Sequence, residues 1–236
     1  MRNIVINFLG ISWYAVANFI ATPIYLHLLG IEAYGLLGIY NSLYAATILL
    51  DLGISPAINR EFAQLSVSKG NETKIRILFK TVESVYWIIT VAIGLVIVVG
   101  SPLFSKYWVH SEIFTTLETR NAFMLMGISL IFQLPVSFYS NVFFGLHRHI
   151  TLNIINICAT TFRFAFSILG LIYFKTCIEV FFATMAISSL LHFLLLRIYA
   201  KKNLPATSQK IYFPKLKNVD LEKYIFWEVA GRFFFA

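Results

Sequence analysis

Arg163 stands in the middle of an apolar segment, with Asn156, Thr160, Ser167 and Gly170 around it at alternating steps of four and three. At about 3.6 residues per turn, that spacing gathers all five on one helix face. A charged side chain near the bilayer centre costs at least ~2.5–3.5 kcal/mol on insertion scales and faces either a cavity or a partner. If it faces a cavity, the residue is a candidate for function. If it faces a partner, the residue is half of a buried ion pair with an Asp or Glu. Arg232 is the second cation inside an apolar segment.

A second constellation lies in "LLDLGISPAINREFAQLSVSKG", residues 49–70. Gly53 and Pro56 are placed to break a helix near the membrane surface, where Asp51 can cap or pair and Arg60 can sit at phosphate level. These four read as a hinge and gate. A catalytic acid would want a second carboxylate or a base close by, and Glu61 and Glu83 have neither triad nor metal spacing. No catalytic residue, metal site or cofactor is expected, and the protein reads as a non-enzyme. His147, Arg148 and His149 form a short basic turn suited to solvent or lipid headgroups. Cys158 and Cys177 lack metal or redox spacing and read as packing residues.

The elements that must position these residues are membrane helices. The chain is 58% hydrophobic and 13% charged, with a mean hydropathy of +0.76, which places it outside the soluble class. Six long apolar segments run from Ile4 to Leu29, Tyr34 to Pro56, Val82 to Leu103, Ala122 to Leu146, Leu152 to Phe174 and Ile178 to Tyr199. Each approaches the roughly 20 residues that a spanning helix needs. A seventh begins near Tyr224. Unsatisfied backbone is excluded from hydrocarbon, and the segments are too long and too uniformly apolar for barrel strands. The expected fold class is therefore an all-α polytopic membrane protein.

The net charge of +8 could mark a nucleic-acid surface in another protein, but here the positive residues fall in loops. One side of the spans holds fourteen of the 19 Lys and Arg: Arg2, Arg60, Lys69, Lys74, Arg76, Lys80, Arg148, Arg197, Lys201, Lys202, Lys210, Lys215, Lys217 and Lys223. The other side holds three, Lys106, Arg120 and Lys175. That bias predicts a cytoplasmic N-terminus.

The remaining spans carry milder polar stripes: Asn7, Tyr14, Asn18 and Tyr25 in the first; Tyr44, Thr47, Asp51 and Ser55 in the second; Glu83, Trp87, Thr90 and Gly94 in the third. Ser129, Gln133, Ser137 and Ser140 follow in the fourth, and Thr184, Ser188 and His192 in the sixth. Such stripes serve equally as helix-to-helix glue, since small and hydroxyl residues are enriched at membrane helix interfaces. Those that would share a cationic cavity with Arg163 and Arg232 are Asn18, Gln133, Asn156 and Thr160.

"LGIEAYGL", from Leu29, followed by "DLGISPAINREFAQ", from Asp51, resembles the oligosaccharide flippase family of polysaccharide biosynthesis proteins, within the multidrug/oligosaccharidyl-lipid/polysaccharide exporter superfamily. The matching positions are Leu29, Gly30, Tyr34, Gly35, Asp51, Leu52, Gly53 and Arg60, so the signal lies mostly in the N-terminal 70 or so residues. The resemblance implies export without bond breaking. An undecaprenyl-diphosphate-linked oligosaccharide repeat unit would cross the bacterial inner membrane by alternating access between two six-helix lobes, supplying O-antigen or capsular polysaccharide. Its implied partners are the lipid-linked oligosaccharide and membrane lipids, with a polysaccharide polymerase and chain-length machinery as candidate protein partners and no nucleic acid. A multidrug exporter of the same superfamily is the first alternative, and would want an acidic cavity. A membrane glycosyl polymerase or ligase is the second, and would want catalytic residues on a large external loop. The domain reading is a six-helix lobe at 1–200, a cytoplasmic linker at 201–223, and the start of a second lobe at 224–236, as expected for half of a transporter whose reading frame is truncated or, as the alternative, whose short chains pair to rebuild the cavity.

Overall fold

The computed structural model describes residues 2–50, 54–67, 70–108, 113–174 and 177–205. They form seven α-helices: α1 (Arg2–Leu29), α2 (Ile31–Leu50), α3 (Ile54–Val67), α4 (Glu72–Leu103), α5 (Thr116–Gly145), α6 (His149–Tyr173) and α7 (Ile178–Asn203). A π-helical turn, Phe104–Trp108, extends α4. No strand occurs among the described residues. Helices α5, α6 and α7, and α4 together with its π turn, are each long and apolar enough to cross a membrane. The fold is that of an all-α polytopic membrane protein.

The helix ends follow from local chemistry. Gly30, at φ 82°, takes the left-handed conformation that closes α1, and its N–H donates to Leu26 O at 3.0 Å. Thr115 and Glu118 form a reciprocal capping box at the start of α5, each side chain satisfying the other's backbone N–H.

Helix α5 is the central post. It packs on α3, α4 and α7, while α6 pairs with α1 and α7. At the α4–α5 crossing Gly94 faces Gly127, and a Cβ on either would close to 3.1–3.2 Å of the other's carbonyl oxygen. Close backbone approach through small residues is how membrane helices gain packing where lipid offers no hydrophobic drive.

The buried side chains form two apolar clusters. One, around Phe62, Phe79, Phe138, Tyr139, Phe143 and Phe193, joins α3, α4, α5, α6 and α7. The other, around Ala21, Tyr40, Phe123, Met126, Phe181 and Phe182, joins α1, α2, α4, α5, α6 and α7. Ser129, Gln133, Ser167, Thr184, Ser188 and Ser189 add a buried polar set on α5, α6 and α7.

Three expectations need correction. Pro56 does not end the second span: α2 stops by Leu50, and Pro56 lies in the first turn of a separate helix, α3, where a missing N–H costs no intrahelical bond. Arg60 therefore projects from the exposed face of α3, opposite the buried Ile58 and Phe62, and does not sit in a loop. At the other end α7 runs to Asn203, so Lys201 and Lys202 form its last turn and precede any linker. Cations are favoured there by the helix dipole, and Lys201 Nζ also pairs with Glu83 Oε1 at 3.5 Å. Asp51, Gly53 and Arg232, with residues 206–236, lie outside the described residues.

Candidate functional site

Helix α6 carries Arg163 about midway along its length. The guanidinium Nη2 donates to Gln133 Oε1 on α5 and, at 3.4 Å, to Ser189 Oγ on α7. Ser189 also donates to Gln133 Oε1 at 3.3 Å, Ser129 lies 3.1 Å from Ser189, and Tyr40 OH on α2 lies 3.1 Å from Ser129. A neutral chain of hydroxyls and one carboxamide thus orients the cation. Among the described residues Arg163 has no carboxylate partner.

Two adjoining cavities meet at this side chain. The first, about 370 Å³, is bounded by α1, α5, α6 and α7 and lined by Asn153, Asn156, Thr160 and His192 as well as Arg163 and Gln133. The second, about 320 Å³, opens toward α2 and is lined by Asn18, Tyr25, Tyr40, Asn41 and Tyr44 together with the same Arg163 and Gln133. Tyr14 is common to both. Arg163 is the one charged side chain in either lining, and neither lining contains an Asp or Glu. In the first cavity His192 Nε2 and Asn156 Oδ1 are 3.0 Å apart.

The structure brings Asn18, Gln133, Asn156, Thr160 and Arg163 together from α1, α5 and α6. The remaining stripes separate by use. Thr184 and Ser188 donate to carbonyls of their own helix, at 2.7 Å each, and are satisfied locally. Ser137 meets Ser55 Oγ at 3.0 Å, and Ser55 meets Tyr86 OH at 2.8 Å, so this group glues the start of α3 to α4 and α5. Glu83, a candidate partner for a buried arginine, instead accepts from Tyr139 OH at 2.6 Å and Arg197 Nε at 2.9 Å. An ion pair on Glu83 exists, but it is part-buried and built on Arg197. Among the described residues no three His, Cys, Asp or Glu side chains converge on a metal-binding arrangement.

Asn41, Tyr40 and Asn153 were not singled out by spacing. Asn41 and Tyr40 lie three and four residues before Tyr44, and Asn153 lies three before Asn156, so each extends a recognised stripe by one turn.

A family profile described as "Polysaccharide biosynthesis protein" matches residues 1–221, which include every helix above. The chain belongs to the polysaccharide biosynthesis protein family. Its role lies in polysaccharide biosynthesis and export, and the apolar helices make this family member a membrane protein. No curated protein and no solved structure gives a significant match to the chain.

Proposed function

We propose that the chain is a flippase lobe that carries an undecaprenyl-diphosphate-linked oligosaccharide across the bacterial inner membrane, for O-antigen or capsular polysaccharide biosynthesis. The observation that carries this reading is Arg163: a mid-span cation held by neutral groups, facing two cavities, with no carboxylate to neutralise it among the described residues. A permanent positive charge left uncompensated in a low-dielectric site is stabilised by an anion that enters it. A diphosphate supplies that anion in a cargo that must leave water. A multidrug exporter of cationic compounds would want the opposite sign. The step is translocation, with no covalent chemistry. Supporting the direction is the fourteen-to-three distribution of Lys and Arg, which argues for a cytoplasmic N-terminus and loading from the cytoplasmic leaflet.

The test is replacement of Arg163 in the complete gene. Arg163→Ala abolishes surface glycan while the protein remains in the membrane, and Arg163→Lys restores only part of it because a point charge replaces a planar fork. Normal glycan export by Arg163→Ala removes the proposed role. Disappearance of the protein from the membrane assigns Arg163 to folding instead.

A further inference from the structure

The two cavities that share Arg163 differ in chemistry. The cavity toward α2 is walled by four tyrosines, Tyr14, Tyr25, Tyr40 and Tyr44, and by the carboxamides of Asn18 and Asn41. Apart from Arg163 it has no charged side chain in its lining. Asn18 and Asn41 are exposed and belong to the middle of α1 and α2. Asn41 makes no side-chain hydrogen bond among the described residues, and Asn18 Oδ1 accepts only a long 3.5 Å bond from Thr22. Tyr14 is half exposed. Amides within an apolar span are costly unless they meet water, protein or a ligand.

We propose that this cavity is a saccharide subsite, in which Asn41 and Asn18 hydrogen-bond sugar hydroxyls and the rings of Tyr44 and Tyr14 stack on the apolar faces of the sugar. The proposal rests on the flippase reading and adds to it where the glycan sits relative to the diphosphate. Aromatic rings with a polar edge suit a ligand that alternates apolar C–H faces with hydroxyls. Carboxamides offer both donors and an acceptor, and so match hydroxyls, which do both. A phosphate alone would leave this wall unused, since its charge is met at Arg163. A purely apolar ligand would leave the amides unpaired. The cavity volume of about 320 Å³ lies at the lower end of small-molecule sites, which fits a short saccharide next to the anion. Arg163, common to both cavities, then stands at the junction of sugar and diphosphate.

Binding to the purified full-length protein in lipid nanodiscs tests the subsite with two probes: undecaprenyl diphosphate, and the lipid-linked saccharides extracted from the cells that express the gene. The saccharide-bearing lipid binds about tenfold more tightly than the bare diphosphate, the scale of one or two net hydrogen bonds. Asn41→Leu and Tyr44→Ala each erase that margin and leave binding of the bare lipid unchanged, whereas Tyr44→Phe keeps the ring and most of the margin. Should one variant lose its thermal unfolding transition, the other decides the outcome. Retention of the full margin by both Asn41→Leu and Tyr44→Ala overturns the subsite and leaves the flippase reading standing. Equal binding of the two probes by the wild-type protein overturns it as well. Failure of either lipid to bind the wild-type protein overturns both readings.

Discussion

Gln133 decides what kind of cation Arg163 is. Its carbonyl oxygen accepts from the guanidinium and from Ser189, so the arginine is oriented without being neutralised. Gln133→Glu changes little in shape but supplies a carboxylate, turning an anion-seeking group into a closed ion pair. We expect surface glycan to fall as far as it does in Arg163→Ala, with the protein folded and no less heat-stable. Unchanged glycan in Gln133→Glu would show that the positive charge is dispensable. Glu83 is the reverse case, since Tyr139 donates to it from α5 and Arg197 and Lys201 pair with it from α7. Its loss orphans the buried Tyr139 hydroxyl, at about 1–3 kcal/mol for a buried unsatisfied group, while Arg197 and Lys201 can turn to solvent. Glu83→Ala should therefore lower the melting temperature in detergent, and a melting temperature equal to that of the parent would exclude a structural role for the cluster.

At the scale of the element, α3 shows how a short helix is tied to a long one. Ser55, Ile58 and Phe62 recur at steps of three and four and are buried, while Arg60 and Gln64 face out. The contact with α5 depends on Gly145, where a Cβ would come within 2.8 Å of the Asn59 carbonyl oxygen and 3.2 Å of the Ala63 nitrogen. Backbone atoms in the middle of a helix cannot step aside as a flexible side chain can. Gly145→Val must push α3 off α5, and overpacking of this kind costs typically 1–3 kcal/mol. Limited proteolysis is the measurement: cleavage near residues 54–67 should accelerate in the variant, and an unchanged digestion pattern would mean that α3 is held by other contacts. The apolar pattern of the sequence made α4, α5, α6 and α7 legible as spans. It did not reveal α3, because a 14-residue helix with polar residues on one face reads as a loop beside a Gly-x-x-Pro break until the surface that buries Ile58 and Phe62 is known.

At the scale of the whole molecule, the fourteen-to-three charge bias predicts which side of the membrane is cytoplasmic. In a cysteine-free background, made with Cys158→Ser and Cys177→Ser, an impermeant thiol reagent applied to intact cells should label Leu117→Cys and spare Gln64→Cys. Both positions are exposed, so the contrast reads the membrane and not burial. The opposite pattern would invert the direction assigned to transport. Composition, span length and charge asymmetry determined by themselves that this is an all-α membrane protein and which residues are too polar for lipid, because insertion energies are summed along the chain and need no tertiary contact. The motifs around Gly30 and Asp51 likewise carried the family resemblance, since a local turn leaves a local signature. Spacing could not say which polar stripe meets which, as a helical period defines a face but not its neighbour. Only the packing of α1, α2, α5, α6 and α7 decided that Arg163 is met by Gln133 and Ser189, that Glu83 belongs to Arg197, and that the tyrosines of α1 and α2 close a second cavity on the same arginine. The hydrogen-bonded pairs among these join residues from 26 to 114 positions apart in the chain, a distance that no local period can encode.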